Sequence, residues 1–361
     1  MTGRTRIVLL FGGRSSEHSI SCATAGGVLG AIDRDRYEII PVGITRDGAY
    51  VLERDDPAWF ALDPEALPEV TDNGTRVRFP ESASSRELTV TDASGTRSLG
   101  DIDLVFPILH GRWGEDGTVQ GMLELVGLPY VGNGVLASAI GMDKHFTKTV
   151  LEAAGIPVAP WVTVTTASWQ ADQSLWRRRV DGLGYPVFVK PARAGSSVGV
   201  SRVAHAADLE DAIAAAFLED GKVLIERGIP GREIECAVLG GRNGEPPRAS
   251  LAGEVVVTGR AFYDFEAKYL GAAGVELVCP AVLHEGELAE MQRIAARAFD
   301  AIGGAGLARV DFFLTDTGFM VNEVNTMPGF TPISMFPRAW LASGLTYPEL
   351  IDELIELALE Q

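Results

Sequence analysis

Residues Arg309 to Pro337 read RVDFFLTDTGFMVNEVNTMPGFTPISMFP, and this stretch constrains the rest of the chain more than any other. Two apolar runs, Val310–Leu314 and Phe319–Val324, flank the turn residues Asp316, Thr317 and Gly318 and predict a β-hairpin. Side chains alternate faces along a strand, so Arg309 shares a face with Asp311, and Glu323 shares one with Asn325. A pairing that joins those faces collects two carboxylates, an amide and a guanidinium. Hard oxygen ligands left partly open suit Mg²⁺ shared with substrate phosphates. The arginine adds nothing to a metal cage, but it fits a phosphoryl group or a developing oxyanion. The competing reading is a solvated hairpin with its polar residues facing water. Against it, these residues interrupt strongly apolar strands, where polar groups need partners. They also run directly into Thr326-Met327-Pro328-Gly329, an irregular loop.

The 361 residues suffice for two or three domains with packed cores, and 46% hydrophobic with 22% charged content is that of an ordinary globular protein. A net charge of −18 argues against general nucleic-acid binding and against attachment to anionic lipid. An anionic substrate must therefore be held by locally placed Lys, Arg and backbone N–H groups. Cys22, Cys236 and Cys279 are scattered and odd in number, without CxxC spacing. That excludes a zinc knuckle, disfavours a disulfide framework and makes a reducing cytoplasm the expected location. The opening MTGRTRIVLLFGG has too short an apolar run for a signal peptide, and no stretch approaches a transmembrane span.

Buried strands are expected at Ile7–Phe11, Tyr37–Ile44 and Leu104–Leu109, with a helix from about Ser19 after the first. This alternation predicts a parallel, doubly wound first domain. The polar stretch from about Glu53 to Gly100 reads as an insertion with short strands rather than core. A second unit begins near Gly134, with a helix at Asp143–Ala154 ended by Gly155. Strands follow at Pro186–Lys190, Val198–Val203, Lys222–Glu226, 232–240 and 249–257, with a helix at Ala207–Leu218. A helix near 285–302 buries Leu288, Met291, Ile294, Ala298 and Ile302 and ends at Gly303. The last helix opens with Thr346 and Glu349 in capping-box register and turns Leu350, Ile351, Leu354, Ile355 and Ala358 inward.

Several further segments carry chemistry. In KPARAGSSVGVS (190–201) a buried strand delivers Lys190 to a glycine–serine loop whose N–H groups can cradle phosphate. It is neither GxxxxGK[ST] nor GxGxxG, and alone it fits an ordinary hairpin turn equally well. In VLIERGIPGREIE (223–235), Glu226 ends a strand before an extended Arg227-Gly228-Ile229 that could meet a planar ring, and Glu233 could bind ribose hydroxyls; surface carboxylates are the plainer reading. RAFYDFEAKYLGAAG (260–274) is long enough to be a lid carrying Lys268 and Tyr269, or else a surface loop with incidental aromatics. GGRSSEHSIS (12–21) follows the first strand, where doubly wound folds bind ligands, and Glu17 there can hold an ammonium group while His18 reads as structural. LHGRWGEDGTVQG (109–121) follows another strand on the same edge, and His110 could neutralise a substrate carboxylate.

Taken in order, GGRSSEHSIS, HGRWGEDG, MDK, KPARAGSSVG, YDFEAKY, RVDF and NEVNTMPGFTPISMFP resemble the D-alanine–D-alanine ligase family of the ATP-grasp superfamily over nearly the whole chain. The resemblance implies an α/β protein with an ATP-grasp fold preceded by a Rossmann-like domain. It divides the chain into 1–133, binding the first D-alanine; 134–227, carrying the phosphate loop; and 228–361, carrying the lid and Mg site. It implies ATP-dependent ligation of two D-alanines through D-alanyl phosphate, for peptidoglycan precursor synthesis, by a cytoplasmic homodimer. Two Mg²⁺ ions, replaceable by Mn²⁺, would be held by Asp311, Glu323 and Asn325. Lys144, Lys190, Ser197 and Lys268 would serve the ATP phosphates, Glu226 and Ile229 the adenine, and Glu233 the ribose. Glu17 would bind the first D-alanine ammonium, with His110 near its carboxylate. Arg309 and the Gly329 N–H would stabilise the oxyanion, and Ser334 and Met335 would contact the second D-alanine. Ser196 and Tyr269, linked to Glu17, would lock the lid, and a tyrosine at 269 goes with D-alanine rather than D-lactate. Two positions depart from the family pattern: Ala194, where many relatives carry Glu, and Arg227, where Lys is common. The runner-up readings are a D-alanine–D-lactate ligase or another ATP-grasp carboxylate–amine ligase. A nucleotide-binding regulator without catalysis has no use for the oxyanion arginine.

Overall fold

Strand β1 (Thr5–Gly12) runs through the centre of the first sheet in the computed structural model of the protein, which describes residues 3–61, 66–195, 198–257 and 274–360. The chain passes through α1 (His18–Ala31) to β2 (Tyr37–Ile44) and the short antiparallel edge strand β3 (Tyr50–Leu52). β1 pairs in parallel with β2 on one side. On the other it pairs in parallel with β7 (Leu104–Ile108), which follows three intervening strands. Residues Ile7–Gly12 and all of β7 are buried, because a parallel sheet covered on both faces requires continuous apolar runs. Ile7, Leu9 and Phe11 enter one core with α1, and Val8 and Leu10 enter a second.

The expectation that residues 53–100 lie outside the core is corrected here. β4 (Arg76–Arg78), β5 (Glu87–Asp92) and β6 (Gly95–Asp101) form an antiparallel sheet that packs Val77, Leu88 and Val90 against Val8 and Leu10. Val119 and Leu123 of α2 (Thr118–Leu125) complete that layer. On the opposite face, Phe60 and Val70 fill the core beside α1, with the Phe60 ring edge-on to Phe11 at 4.8 Å. The segment looks polar because a strand covering one face needs an apolar residue only at every second position. The first sheet is thus covered by a helix layer on one side and mainly by a small sheet on the other.

The next unit opens with α3 (Val135–Met142) and α4 (Lys144–Ala153), joined at Asp143. Asp143 caps α4 by accepting from the His145 and Phe146 N–H groups. β8 (Trp161–Thr165), α5 (Thr166–Ala171), α6 (Gln173–Asp181), β9 (Val187–Pro191), β10 (Ser201–Val203), α7 (Leu209–Glu219) and β11 (Lys222–Arg227) follow. The four strands make an antiparallel sheet in the order β10-β9-β11-β8. β10 is shorter than expected because Gly199 adopts φ +70° and holds the chain in a turn. A second antiparallel sheet is built from β12 (Arg232–Leu239), β13 (Arg248–Val257), β14 (Val275–Val278), β15 (Leu307–Thr315) and β16 (Gly318–Asn325), in the order β14-β13-β12-β15-β16. α8 (Glu287–Ala301) covers it with Met291, Ile294 and Ala298, followed by Ile302; Leu288 is only partly buried.

Two closing helices, α9 (Met335–Ala342) and α10 (Tyr347–Leu359), return the chain to its beginning. Leu350, Ile351, Leu354 and Ile355 share a core with Ile7, Leu9 and Leu104, so the end of the chain seals the first sheet. The capping box of Thr346 and Glu349 starts α10 as its sequence demands. Leu354→Ala is expected to cost about 2–5 kcal/mol of stability and Thr346→Ala about 1 kcal/mol, read from the shift of the urea-unfolding midpoint at constant slope.

Candidate active site

The β15–β16 hairpin forms in the expected register, with Arg309 opposite Asn325 and Asp311 opposite Glu323. A bulge after Asp311 sets Phe312 opposite Val321, leaving Asn322 as the extra residue. Ala308, Val310, Phe312 and Leu314 point into the core beneath α8. Arg309 and Asp311 occupy the other face, where β12 brings Glu235 opposite Asp311. Arg309 donates from Nε to Asp311 Oδ1 and from Nη2 to Oδ2, both at 2.7 Å, and Asn325 Nδ2 donates to Asp311 Oδ2 at 2.9 Å. Glu235 Oε2 lies 3.1 Å from Arg309 Nε. Burial works against the Arg309 charge, but Asp311 and Glu235 outweigh it and hold the guanidinium well above its ordinary range.

Asp311, Glu323 and Asn325 fit a magnesium site on the chemistry of their donors. They offer oxygens from adjacent strands, and among the described residues no cluster of three His, Cys, Asp or Glu is able to cage a metal by itself. A partial set of hard oxygens is what Mg²⁺ uses when phosphates and water complete its octahedron.

These residues line a cleft of about 370 Å³ formed by the two larger antiparallel sheets together with α1 and the loop that follows β7. From α4 and the β8–β11 sheet come Lys144, Lys190 and Glu226, and from the following segment Ile229 and Glu233. Lys144 Nζ donates to the Ala194 carbonyl at 2.9 Å and lies 3.8 Å from Glu323 Oε2, linking the phosphate loop to the hairpin. Its partner is a backbone oxygen, so the departure at Ala194 does not disturb this contact. Lys190 Nζ lies 3.5 Å from Glu226 Oε2.

α1 and the loop after β7 contribute Glu17, the N-cap residue of α1, and His110, which follows β7. His110 Nδ1 bonds to the Met327 carbonyl at 3.2 Å, whereas its buried Nε2 has no hydrogen-bond partner among the described residues. Burial lowers the His110 pKa, while the Glu17 carboxylate and the Met327 carbonyl push it upward. A neutral ring donating from Nδ1 carries a lone pair at Nε2, so His110 meets a carboxylate only after that nitrogen gains a proton. His18 is structural, as expected: Nδ1 bonds to the Gly13 carbonyl and Nε2 accepts from the Val70 N–H. Gly195 of the glycine–serine loop lies against Glu17, so closely that a Cβ there would stand 2.8 Å from Glu17 Oε2.

Gly329, Ser334 and Met335 line the cleft from the segment between β16 and α9. Ser334 is the N-cap of α9, and its Oγ lies 2.7 Å from Thr331 Oγ1. The uncapped N–H groups there favour an anion. Ser196, Ser197, Lys268 and Tyr269, together with most of the expected lid, lie outside the described residues.

Two cleft carboxylates escaped the sequence reading. Glu235 was legible, because it stands two residues beyond Glu233 on the same face of β12. Glu115 sits between Gly114 and Asp116 with no periodicity to single it out. Its Oε1 accepts from the Gly111 N–H at 2.6 Å, and burial together with the Glu17 charge pushes its pKa up to about 8.

Comparison with known proteins adds a second line of argument. A family model described as the D-ala D-ala ligase N-terminus matches residues 6–133, and one described as the D-ala D-ala ligase C-terminus matches residues 150–356. The D-alanine--D-alanine ligase of Paenarthrobacter aurescens is 54% identical over 99% of this chain and 96% of its own. The structure of VanG D-Ala:D-Ser ligase from Enterococcus faecalis is similar with a TM-score of 0.85 and 34% identity, covering 99% of this chain and 100% of that one. D-alanine--D-alanine ligase from Bacillus anthracis, complexed with ATP, matches with a TM-score of 0.72 and 28% identity over 98% and 97%.

The Glu115 shift has a consequence for stability. Its folded pKa of about 8 exceeds the ordinary 4.5, so the folded chain holds a proton that the unfolded chain has released between those values. Stability therefore falls as pH rises through that window, by at most about 1.4 kcal/mol per pH unit, and levels off above it. Denaturation midpoints measured from pH 5 to 8 should fall less in Glu115→Gln than in the wild-type chain.

Proposed function

This chain belongs to the D-alanine–D-alanine ligase family, and we propose that it joins two D-alanines into D-alanyl-D-alanine while cleaving ATP to ADP and phosphate. One observation carries the reading. A single cleft gathers lysines suited to phosphate, a partial magnesium site with its own arginine, and a carboxylate–imidazole pair suited to an amino acid. Phosphoryl transfer needs this kind of charge neutralisation and positioning more than covalent help.

Lys144 and Lys190 hold the ATP phosphates, with Ser197 and Lys268 joining them from the loops. Glu226 and Ile229 meet the adenine, and Glu233 the ribose. Asp311, Glu323 and Asn325 would hold Mg²⁺, which would supply charge neutralisation at the phosphate oxygens. Glu17 binds the ammonium of the first D-alanine, and His110 faces its carboxylate, whose arrival favours the protonated imidazole. That carboxylate attacks the γ-phosphorus as the bond to ADP breaks, giving D-alanyl phosphate. The free amine of the second D-alanine then attacks the acyl carbon, and phosphate leaves from the tetrahedral intermediate. Arg309 is held charged by Asp311 and Glu235, and with the Gly329 N–H it receives the oxyanion. Ser334 and Met335, at the start of α9, hold the second carboxylate. From the family resemblance, Ser196 and Tyr269 would link to Glu17 and close the site.

The VanG structure is named for a D-Ala:D-Ser ligase, so a shared fold leaves the second substrate open. Tyr269 favours D-alanine over D-lactate. We further infer a cytoplasmic homodimer of three units, 1–133, 134–227 and 228–361. The three free cysteines fit a reducing compartment, and among the described residues no helix is long and apolar enough to cross a membrane.

Phosphate release from MgATP tests the reading, using D-alanine, L-alanine, and D-alanine with D-serine or D-lactate. Turnover is expected with D-alanine alone. It should vanish in Asp311→Ala and Glu323→Ala, and kcat should fall roughly 100- to 1,000-fold in Arg309→Ala. Full activity in both carboxylate variants overturns the metal assignment, and a preference for D-lactate at neutral pH overturns the role of Tyr269. Sedimentation at twice the 38.5 kDa chain mass is the result expected of the dimer.

A further inference from the structure

Lys148 is a lysine with only 2% of its side chain exposed, in a protein where other lysines of the site open onto the cleft. Lysine is almost never buried in this way without a partner, because its ammonium loses hydration that little else replaces. It stands one helical turn beyond Lys144 on α4, yet it does not line the cleft. Its Nζ lies 3.4 Å from Glu226 Oε2, donates to the Ala159 carbonyl at 3.2 Å and sits 5.6 Å from the Trp161 ring centre.

Glu226, with its side chain 3% exposed, therefore has two cations on one oxygen. Lys148 approaches Oε2 from the sealed interior, and Lys190 approaches the same atom at 3.5 Å with its own side chain lining the cleft. The two are not equivalent once a nucleotide binds. Lys190 is free to turn to the phosphates. Lys148 is enclosed by backbone and ring and has nowhere to go. If it were missing, departure of Lys190 would leave a buried carboxylate with no cation to hold it in place. Burial pulls the Lys148 ammonium down, Glu226 holds it up, and Lys190 opposes it. When Lys190 leaves, the hold of Glu226 on Lys148 tightens.

The placement of the Glu226 carboxylate matters to a purine. A carboxylate only accepts hydrogen bonds, which suits a 6-amino donor and not a 6-oxo group, itself an acceptor. We propose that Lys148 is a positioning residue that anchors Glu226 and aims it as the acceptor for a nucleotide 6-amino group, so that the site prefers adenine to a 6-oxopurine. The proposal rests on the preceding reading only in taking Glu226 to face the base.

The test compares MgATP with MgITP in the full-length wild-type and Lys148→Met proteins at saturating D-alanine. Losing a charge-held acceptor is expected to raise KM for MgATP about tenfold, leave kcat within about threefold and leave KM for MgITP within about threefold. Lys148→Arg, which keeps the cation, should recover part of the preference for ATP. Equal losses with both nucleotides, a fall in kcat at constant KM, or no change at all would each overturn the proposal. If circular dichroism finds Lys148→Met unfolded, Lys148→Gln keeps a donor for the Ala159 carbonyl and is read in the same way. Calorimetric affinities for MgADP and MgIDP give the same ratio without turnover. A wild-type chain that binds MgADP selectively but never consumes D-alanine would therefore sink the ligase reading and leave this one standing.

Discussion

A guanidinium stays charged inside a protein only where carboxylates surround it, and the arrangement around Arg309 is the constraint on which the site depends. Asp311 takes it in a bidentate grip within one strand, Glu235 reaches it from the neighbouring strand, and Asn325 steadies Asp311 from the other side. Three strands must hold their mutual register for these contacts to coexist. A slip of one residue would turn Arg309 and Asp311 into the core beneath α8 and bring Ala308 and Val310 to the cleft. The alternation that buries Ala308, Val310, Phe312 and Leu314 therefore also aims the chemistry. Packing and function are settled here by the same pleat.

The other cations of the cleft depend on carboxylates as well. Lys144 is spanned between Glu323 and the Ala194 carbonyl, and Glu226 is shared by Lys148 and Lys190. A chain with a net charge of −18 repels anionic nucleotides at long range. Its affinity for phosphate must come from lysines concentrated at one place and released from protein carboxylates as the ligand arrives. Charge acts through space in the same way around His110 and Glu115, where the Glu17 carboxylate works to raise the pKa of both.

Much of this was readable in advance, for identifiable reasons. The strand Ile7–Phe11 is an unbroken apolar run, Tyr37–Ile44 is broken only by Glu38, α8 has a clean 3.6-residue stripe, and α10 carries both capping residues and an inward face; each is a local pattern with one good solution. Alternation alone places Arg309 with Asp311 and Glu323 with Asn325, whereas the bulge that sets Asp311 opposite Glu323 left no mark in the sequence. The segment 53–100 misled because Val77, Leu88 and Val90 are spaced among polar residues on short strands, and their burial depends on β1 having a bare face to offer. Lys144 belongs to the MDK motif, but nothing local marks Lys148, one turn further along the same helix, as buried. Glu115 lay in a loop, where no period exists to be read.

The sequence by itself determined most of the elements, the alternating faces of the hairpin strands and the family, because periodicity, caps and ordered motifs are local properties that survive without coordinates. Only the tertiary structure decided that the last helix closes the first sheet and that Glu235 is the second carboxylate on Arg309. It also decided that one buried oxygen of Glu226 joins a sealed lysine to one lining the cleft. Those facts concern pairs of residues tens to hundreds of positions apart. Burial and charge act through space, and a charge has no meaning for a site until the fold shows what surrounds it.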